Sequence, residues 1–323
     1  MPLVAGLTLA VPAFSDAAEL IVYAPDYFAS DWGPGPGIEA RFEERCACDL
    51  IYRTGDLLPR LLLEGERTEA DVAIGFSSDL TRRARVSGLF APHGQDLSAL
   101  TLPIEWTDEI FLPFNYSHAA FVYDTTRVAE VPTSFAALLD APDDVRIVIQ
   151  DPRSSVSGLA LALWVQHVFD EDAEDAWAAL APKIVTVTQG WSEAYGLFTD
   201  GEADMVLSFT TSPAYHILAE DDLTKSAAIF EDGHYLLVES AAQIAGTDQP
   251  ELAAEFMAFI LSETFQGMIP TTNWSLPSAL PEAEWPQGFQ DLPLPETVLF
   301  YPEDEAEAIR DAAIDAWRRG LSN

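Results

Sequence analysis

The chain has 323 residues, 49% of them hydrophobic, and sets 53 acidic side chains against 16 basic ones for a formal net charge of −37. That length accommodates two lobes, each with its own core, and the composition excludes a disordered or fibrous chain. The charge excludes nucleic acid and anionic lipid as partners, because phosphate recognition needs clustered Lys and Arg; small cations are drawn in instead. Most of these carboxylates read as a solvated surface or as adaptation to a saline habitat, with steering of a cationic ligand as a by-product.

The opening stretch, "MPLVAGLTLAVPAFSDAAEL", has the apolar core and small-residue cleavage region of a secretory leader, assigned to residues 1–18 with cleavage near Ala17 or Ala18, although the usual basic start is missing. Nothing later reaches the roughly 18 uninterrupted apolar residues of a membrane span, so an exported, soluble protein is expected. "ELIVYAP" is then a buried strand, and "GIEARFEERCACDLIYR" a helix running into a second strand. Cys46 and Cys48 are the only cysteines; an oxidising compartment would join them in a tight local ring, and two thiols alone make a poor structural metal site. "GDLLPRLLLEGERTEADVAIGFSSDL" predicts a helix, a Gly turn and a third strand.

That third strand has an echo: "EADVAIGFSSD" (Glu69 to Asp79) resembles "EADMVLSFTTS" (Glu202 to Ser212), each with Glu-Ala-Asp before an apolar strand and a hydroxyl-rich loop after it. Between the echoes, "AAFVYDTTRV" and "VRIVIQDPRSSVSG" are strands and "GLALALWVQHVFDEDAEDAWAALA" a helical pair. Farther on, "GHYLLVESAAQI" is a strand that carries the chain back, and "PELAAEFMAFILSETFQGMI" an amphipathic helix from Pro250 to near Gly267. "EDEAEAIRDAAIDAWRRGL" is a last helix, with Arg318 and Arg319 suited to its final turn. Alternating strands and helices give an α/β fold with a largely parallel sheet. Two such lobes joined by crossing strands form a cleft: residues 19–122 with roughly 240–323 in one lobe, 123–239 in the other. Ligands in such sheets bind outside the carboxyl ends of the strands.

Of six loops at strand or helix ends, "APDYFASDWGPGPG", "TQGWSEAY", "SFTTSPAY" and "IPTTNWSLP" place Trp or Tyr in Gly/Pro/Ser/Thr settings where periodic packing does not bury a large ring; "GFSSD" and "QDPRSSVSG" carry none. Each ring alone is better read as packing; several on one cleft make an aromatic pocket for a flat, cationic heterocycle, where a desolvated cation over a ring gains ~2 kcal/mol. Asp26, Asp31 or Asp56 could pair with its positive charge. "SSVSGLALALW" is a hydroxyl-rich helix start able to hold an anion, with plain N-capping the stronger reading. No cofactor is expected. Catalytic constellations are missing: His93, His118, His167, His216 and His234 show neither metal-ligand spacing nor a neighbouring nucleophile, and no Gly-rich phosphate loop occurs.

The blocks "DWGPGPG", "QDPRSSVSGLALALW", "TVTQGWSEAYGLFTDGEADMVLSFTTSPAYHIL", "GHYLLVE" and "IPTTNWSLP" resemble, over nearly the whole mature chain and in order, the periplasmic thiamine-binding proteins of bacterial ABC transporters. The resemblance implies a two-lobed periplasmic-binding-protein fold of type II, a periplasmic location, thiamine or its mono- or diphosphate as ligand, an importer permease as partner, and a monomer. Carried over by residue, ring contacts fall on Trp32, Tyr215 and Trp274, the phosphate or hydroxyethyl end near Ser155 and Trp191, and the acidic contact on Asp56. Two departures stand out. Phe209 occupies a position that is often Tyr in the family, and Pro25 replaces an aromatic residue, with Tyr27 as a possible substitute. Other readings are a same-fold binder of a polyamine or of ferric iron, the latter lacking its usual adjacent tyrosines here, and a thiaminase-like enzyme using Cys46 or Cys48.

Overall fold

The computed structural model describes residues 17–322; the leader assignment, on residues 1–18, falls almost wholly outside them. The architecture is a mixed α/β fold around one curled sheet. Its main strands run in the order Asp49–Thr54, Glu19–Ala24, Val72–Ser77, His234–Ile244, Leu112–Asp124, Met205–Phe209, Ile147–Gln150, Ile184–Thr188. The first three and the last three are parallel sets. Between them lie two long strands, Leu112–Asp124 and His234–Ile244, antiparallel to each other and to the strand beside each of them.

These two crossing strands belong to both halves. Leu112 to Asn115 lie in the first half, and Ala119 to Tyr123 pair with Phe209 to Met205 in the second. Since Val72–Ser77 and Met205–Phe209 run in opposite senses against them, the two parallel sets point at each other. Ser77, the last residue of one, pairs with Glu239, and Phe209, the last of the other, pairs with Ala119. The carboxyl ends of both sets therefore meet at the middle of the crossing strands, where ligands bind in open α/β sheets.

The sequence echo occupies equivalent places, each the parallel strand next to a crossing strand. Its Glu-Ala-Asp has a mechanical reason. The carboxylate of Asp71 accepts from the Ile21 backbone N–H at 2.8 Å, and that of Asp204 from the Arg146 N–H at 3.0 Å, so each clamps its strand to the neighbouring parallel one.

Helices cover both faces of each half. Leu20, Val22, Ile38, Phe42, Phe256 and Phe259 form one layer of the first half, and Tyr23, Leu58, Leu61 and Phe76 the other. In the second half, Trp164, Trp177 and Phe121 pack on one face, Val148, Tyr195 and Phe198 on the other. Leu20 and Tyr23 thus lie on opposite faces of one strand, as a doubly covered sheet requires. The helix expected to run from Pro250 to Gly267 is two, Pro250–Ile260 and Glu263–Gln266, because the Ser262 hydroxyl caps a new start by accepting from Phe265 N–H. No single helix among the described residues is long and apolar enough to cross a membrane.

The final helix, Glu303–Gly320, departs from its assignment to the first lobe. Ala313, Ala316 and Trp317 join the core of the second half, and Gly320 lies so close that a Cβ there would sit 2.4 Å from Cβ of Trp177. Arg85 of the first half reaches back to Glu303 at 2.8 Å, so the helix bridges the halves.

The junction is pinned by buried polar groups. His234 lies 2.7 Å from Ala119 O through Nδ1, and its Nε2 accepts from Phe230 N–H at 2.8 Å, which fixes a neutral tautomer donating from Nδ1. Burial lowers the pKa of His118 to about 3. Asp79, buried after the third strand, accepts from Tyr235 O–H at 2.7 Å; burial outweighs that bond and raises its pKa to about 6. Between about pH 6 and pH 4 the folded protein binds a proton here that the unfolded chain does not, so this residue adds stability as the pH falls through that window. Asp79→Asn is expected to remove that contribution, seen as a difference in the pH dependence of urea-unfolding midpoints between variant and wild type.

Candidate ligand-binding site

Every loop singled out in the sequence leaves a strand at its carboxyl end, except the one carrying Trp274. Trp32 sits on the loop after the first strand, 58% exposed. The loop folds back on itself through Gly33 N–H to Ser30 O and Gly35 N–H to Phe28 O, at 3.0 and 2.7 Å. Gly33 permits this, since a Cβ there would meet Tyr27 O at 2.1 Å. Asp56 follows the outermost strand of the first half, exposed, and makes no side-chain capping bond to the helix it precedes. No contact among the described residues joins it to the aromatic groups.

In the second half, Trp191 opens the helix Trp191–Thr199 and donates its indole N–H to Ser208 Oγ at 2.8 Å. Ser208 is fully buried, lies 2.7 Å from Ser212 Oγ, and Ser212 in turn accepts from Phe209 N–H. The echo thus supplies a hydroxyl chain that fixes the Trp191 ring and the end of the strand bearing Phe209. Ser155 caps the helix Val156–Phe169, accepting from Gly158 N–H at 3.4 Å, with Ser157 Oγ at 2.9 Å; the capping reading is the one this geometry carries.

Six rings stand in sequence across the junction. Trp191 stacks on Tyr195 at 4.7 Å and 23°, and Tyr195 on His216 at 5.8 Å and 18°. His216 meets Tyr215 edge-on, Tyr215 meets Trp274 edge-on at 5.1 Å and 88°, and Trp274 lies parallel to Phe289 at 6.4 Å. Tyr195, whose hydroxyl lies 2.9 Å from His216 Nε2, is a packing element. His216 Nδ1 is 2.6 Å from Glu220 Oε2, so the ring is held between the Glu220 carboxyl and the Tyr195 hydroxyl. The array brings Trp191, Tyr215 and Trp274 together. Tyr215 remains 38% exposed, and Trp274 holds φ +53, a left-handed backbone that a bulky residue adopts only when its surroundings impose it.

A carboxylate absent from the sequence-based candidates lies at the junction. Glu239, mid-strand and partly buried, accepts from Tyr27 O–H and from Asn115 Nδ2 at 2.7 Å, with Asn273 Nδ2 at 3.5 Å. Burial raises its pKa, and the three donors oppose that rise. Tyr27, which the sequence offers as a stand-in for a missing pocket ring, has its hydroxyl committed to this bond. As for metals, His216, Glu220 and Asp222 bring one ligand atom each within 4.8 Å. The Lys225 ammonium already stands 3.1 Å from Asp222, which makes this an ion-pair chain. Cys46 and Cys48 are joined as a disulfide.

Ser208→Ala leaves the indole N–H of Trp191 without its partner. The expected loss is about 1–3 kcal/mol of unfolding free energy, the cost of an orphaned donor, together with a shift in tryptophan emission; urea titration followed by fluorescence measures both.

Comparison with known proteins matches the family of bacterial extracellular solute-binding proteins over residues 68–308. The thiamine-binding periplasmic protein of Escherichia coli (strain K12) is 45% identical over 98% of this chain and 97% of its own. That of Brucella abortus biovar 1 is 41% identical, over 96% and 94%. A solved structure of a periplasmic thiamin binding protein superposes with a TM-score of 0.91 at 45% identity, covering 98% of this chain and 100% of its own. Iron-bound HitA from Pseudomonas aeruginosa shares the fold at a TM-score of 0.74 and 22% identity, covering 94% of this chain and 99% of its own. The chain belongs to the bacterial extracellular solute-binding proteins of ABC transporters, in the group of the thiamine-binding periplasmic proteins.

Proposed function

We propose that this protein captures thiamine or its phosphates in the periplasm, closes its two lobes around them and delivers them to an ABC importer. The observation that carries the reading is the line of rings from Trp191 to Phe289, which crosses the junction of the two parallel strand sets and includes the part-exposed Tyr215 set edge-on against Trp274. Two flat heterocycles, one with a permanent positive charge, suit stacked and edge-on rings. They also suit a chain with a net charge of −37. The relatives at 40% identity and above that carry the name of thiamine-binding proteins support the same ligand.

In this reading Trp32, Tyr215 and Trp274 contact the heterocycles, and Trp191 with Ser155 stands near the hydroxyethyl or phosphate end. Phe209 offers no hydroxyl there, so the order of affinities among thiamine and its two phosphates reports what that lost bond contributes. Asp56, exposed in the loop after the outermost strand of its half, contributes only if closure of the lobes carries it to the ligand. A lobe boundary near the middle of the two crossing strands, with one monomer per ligand, completes the proposal.

A thiaminase-like activity needs a thiolate, and both cysteines are held in the disulfide. Polyamine binding is separated by experiment. Ligand-stripped, refolded protein titrated calorimetrically is expected to bind thiamine compounds one-to-one and spermidine weakly or not at all. No heat with any thiamine compound from folded protein would overturn the proposal. Trp274→Ala and Tyr215→Ala should each weaken thiamine binding at least tenfold, about 1.4 kcal/mol. Unchanged affinity in both variants, each folded by circular dichroism, would move the pocket elsewhere.

A further inference from the structure

Glu239 occupies the point where the first half's strands end. Ser77 pairs with it from one side and Asn115 from the other, and both ladders shift register at Glu239 to Ala241. A bulge of this kind re-aims side chains, and here the carboxylate gathers three separate segments: Tyr27, in the loop that bears Trp32; Asn115, on the other crossing strand; and Asn273, next to Trp274. All three donors are neutral. No Lys or Arg pairs with this carboxylate among the described residues, and Tyr27 is the titratable group turned toward it. In its ionised form, a carboxyl with about four acceptor sites, three of them used, and no counter-ion carries a cost that a nearby cation relieves.

We propose that Glu239 sets the preference of the site for a positively charged ring, the ligand's fixed charge standing where a counter-ion would, while its hydrogen bonds hold the two ring-bearing loops together. This rests on the thiamine reading and adds the origin of its charge selectivity. In the alternative, a purely structural Glu239 would tie the loops without distinguishing charged from neutral ligands.

The test compares thiamine with 3-deazathiamine, the isosteric analogue in which carbon replaces the quaternary nitrogen and the ring is neutral, by calorimetry on ligand-stripped full-length protein. Wild type should prefer thiamine, and Glu239→Gln, which keeps the shape and hydrogen-bonding reach, should narrow that preference at least tenfold. Tyr27→Phe removes a donor but leaves the charge, so it should weaken both ligands alike and keep the ratio. Wild type measured at pH 7 and again near pH 5 repeats the test without any substitution: burial raises the pKa of Glu239, so the ratio should fall with acid, and less so in the Gln variant. A Glu239→Gln protein that folds and keeps the full preference, or a wild-type ratio unmoved by acid, would overturn the inference while leaving thiamine binding intact. Wild type that binds neither compound would overturn the ligand reading and this inference with it.

Discussion

Everything in this molecule hangs on two antiparallel strands that serve both halves. Among the described residues, the sheet passes from one parallel set to the other through Leu112–Asp124 and His234–Ile244, side by side. A strand must satisfy its backbone groups along its whole length, because an unpaired buried N–H or C=O is expensive. The crossing strands do so by changing partners midway, and this forces the two sets to face each other carboxyl end to carboxyl end. The junction then receives every loop that bears a candidate ring, and all but that of Trp274 reach it from the carboxyl end of a strand. Asp71 and Asp204 reinforce the arrangement one strand farther out by clamping equivalent neighbours.

Much of this was legible in the amino-acid order. The strand–helix alternation, the return strand and the internal echo follow from periodicity and turn residues, and the echo lies at equivalent places in the two halves. Less legible was the first part of Leu112–Asp124, where Pro113, Asn115 and Ser117 break the apolar run. Those residues are tolerated because ladders on both sides satisfy the backbone. The break at Ser262 was hidden by apolar residues that continue on both sides of it. Amphipathicity marked the last helix but not its neighbour, since an apolar stripe does not specify which core it covers.

The site divides the same way. Trp191, Tyr215 and Trp274 were visible because large rings in Gly/Pro/Ser/Thr loops have no periodic reason to be there, and the ring array joins all three. Glu239 was invisible. In "YLLVES" a lone acid within a strand reads as a solvent-facing position, and only the bulge turns it toward Tyr27, Asn115 and Asn273. Asp56 is the reverse case: an acid named from a gapped likeness, in the loop after the outermost strand of its half and exposed. The family relationship covers nearly the whole chain, and the geometry places Glu239, not Asp56, where the two parallel sets meet.

Tyr215 and Trp274 already touch, edge to face, across the junction. In the proposed site, a ring that enters between them exchanges their mutual contact for its own. Affinity is then a difference between two sets of ring contacts, and the mutual grip of the two residues acts as a threshold. A solute whose ring fits the two residues no better than they fit each other would gain little by entering there. On the proposed placement of the ligand, the pair would filter by shape as well as charge, and amines that share thiamine's charge but not its flatness would gain less from it.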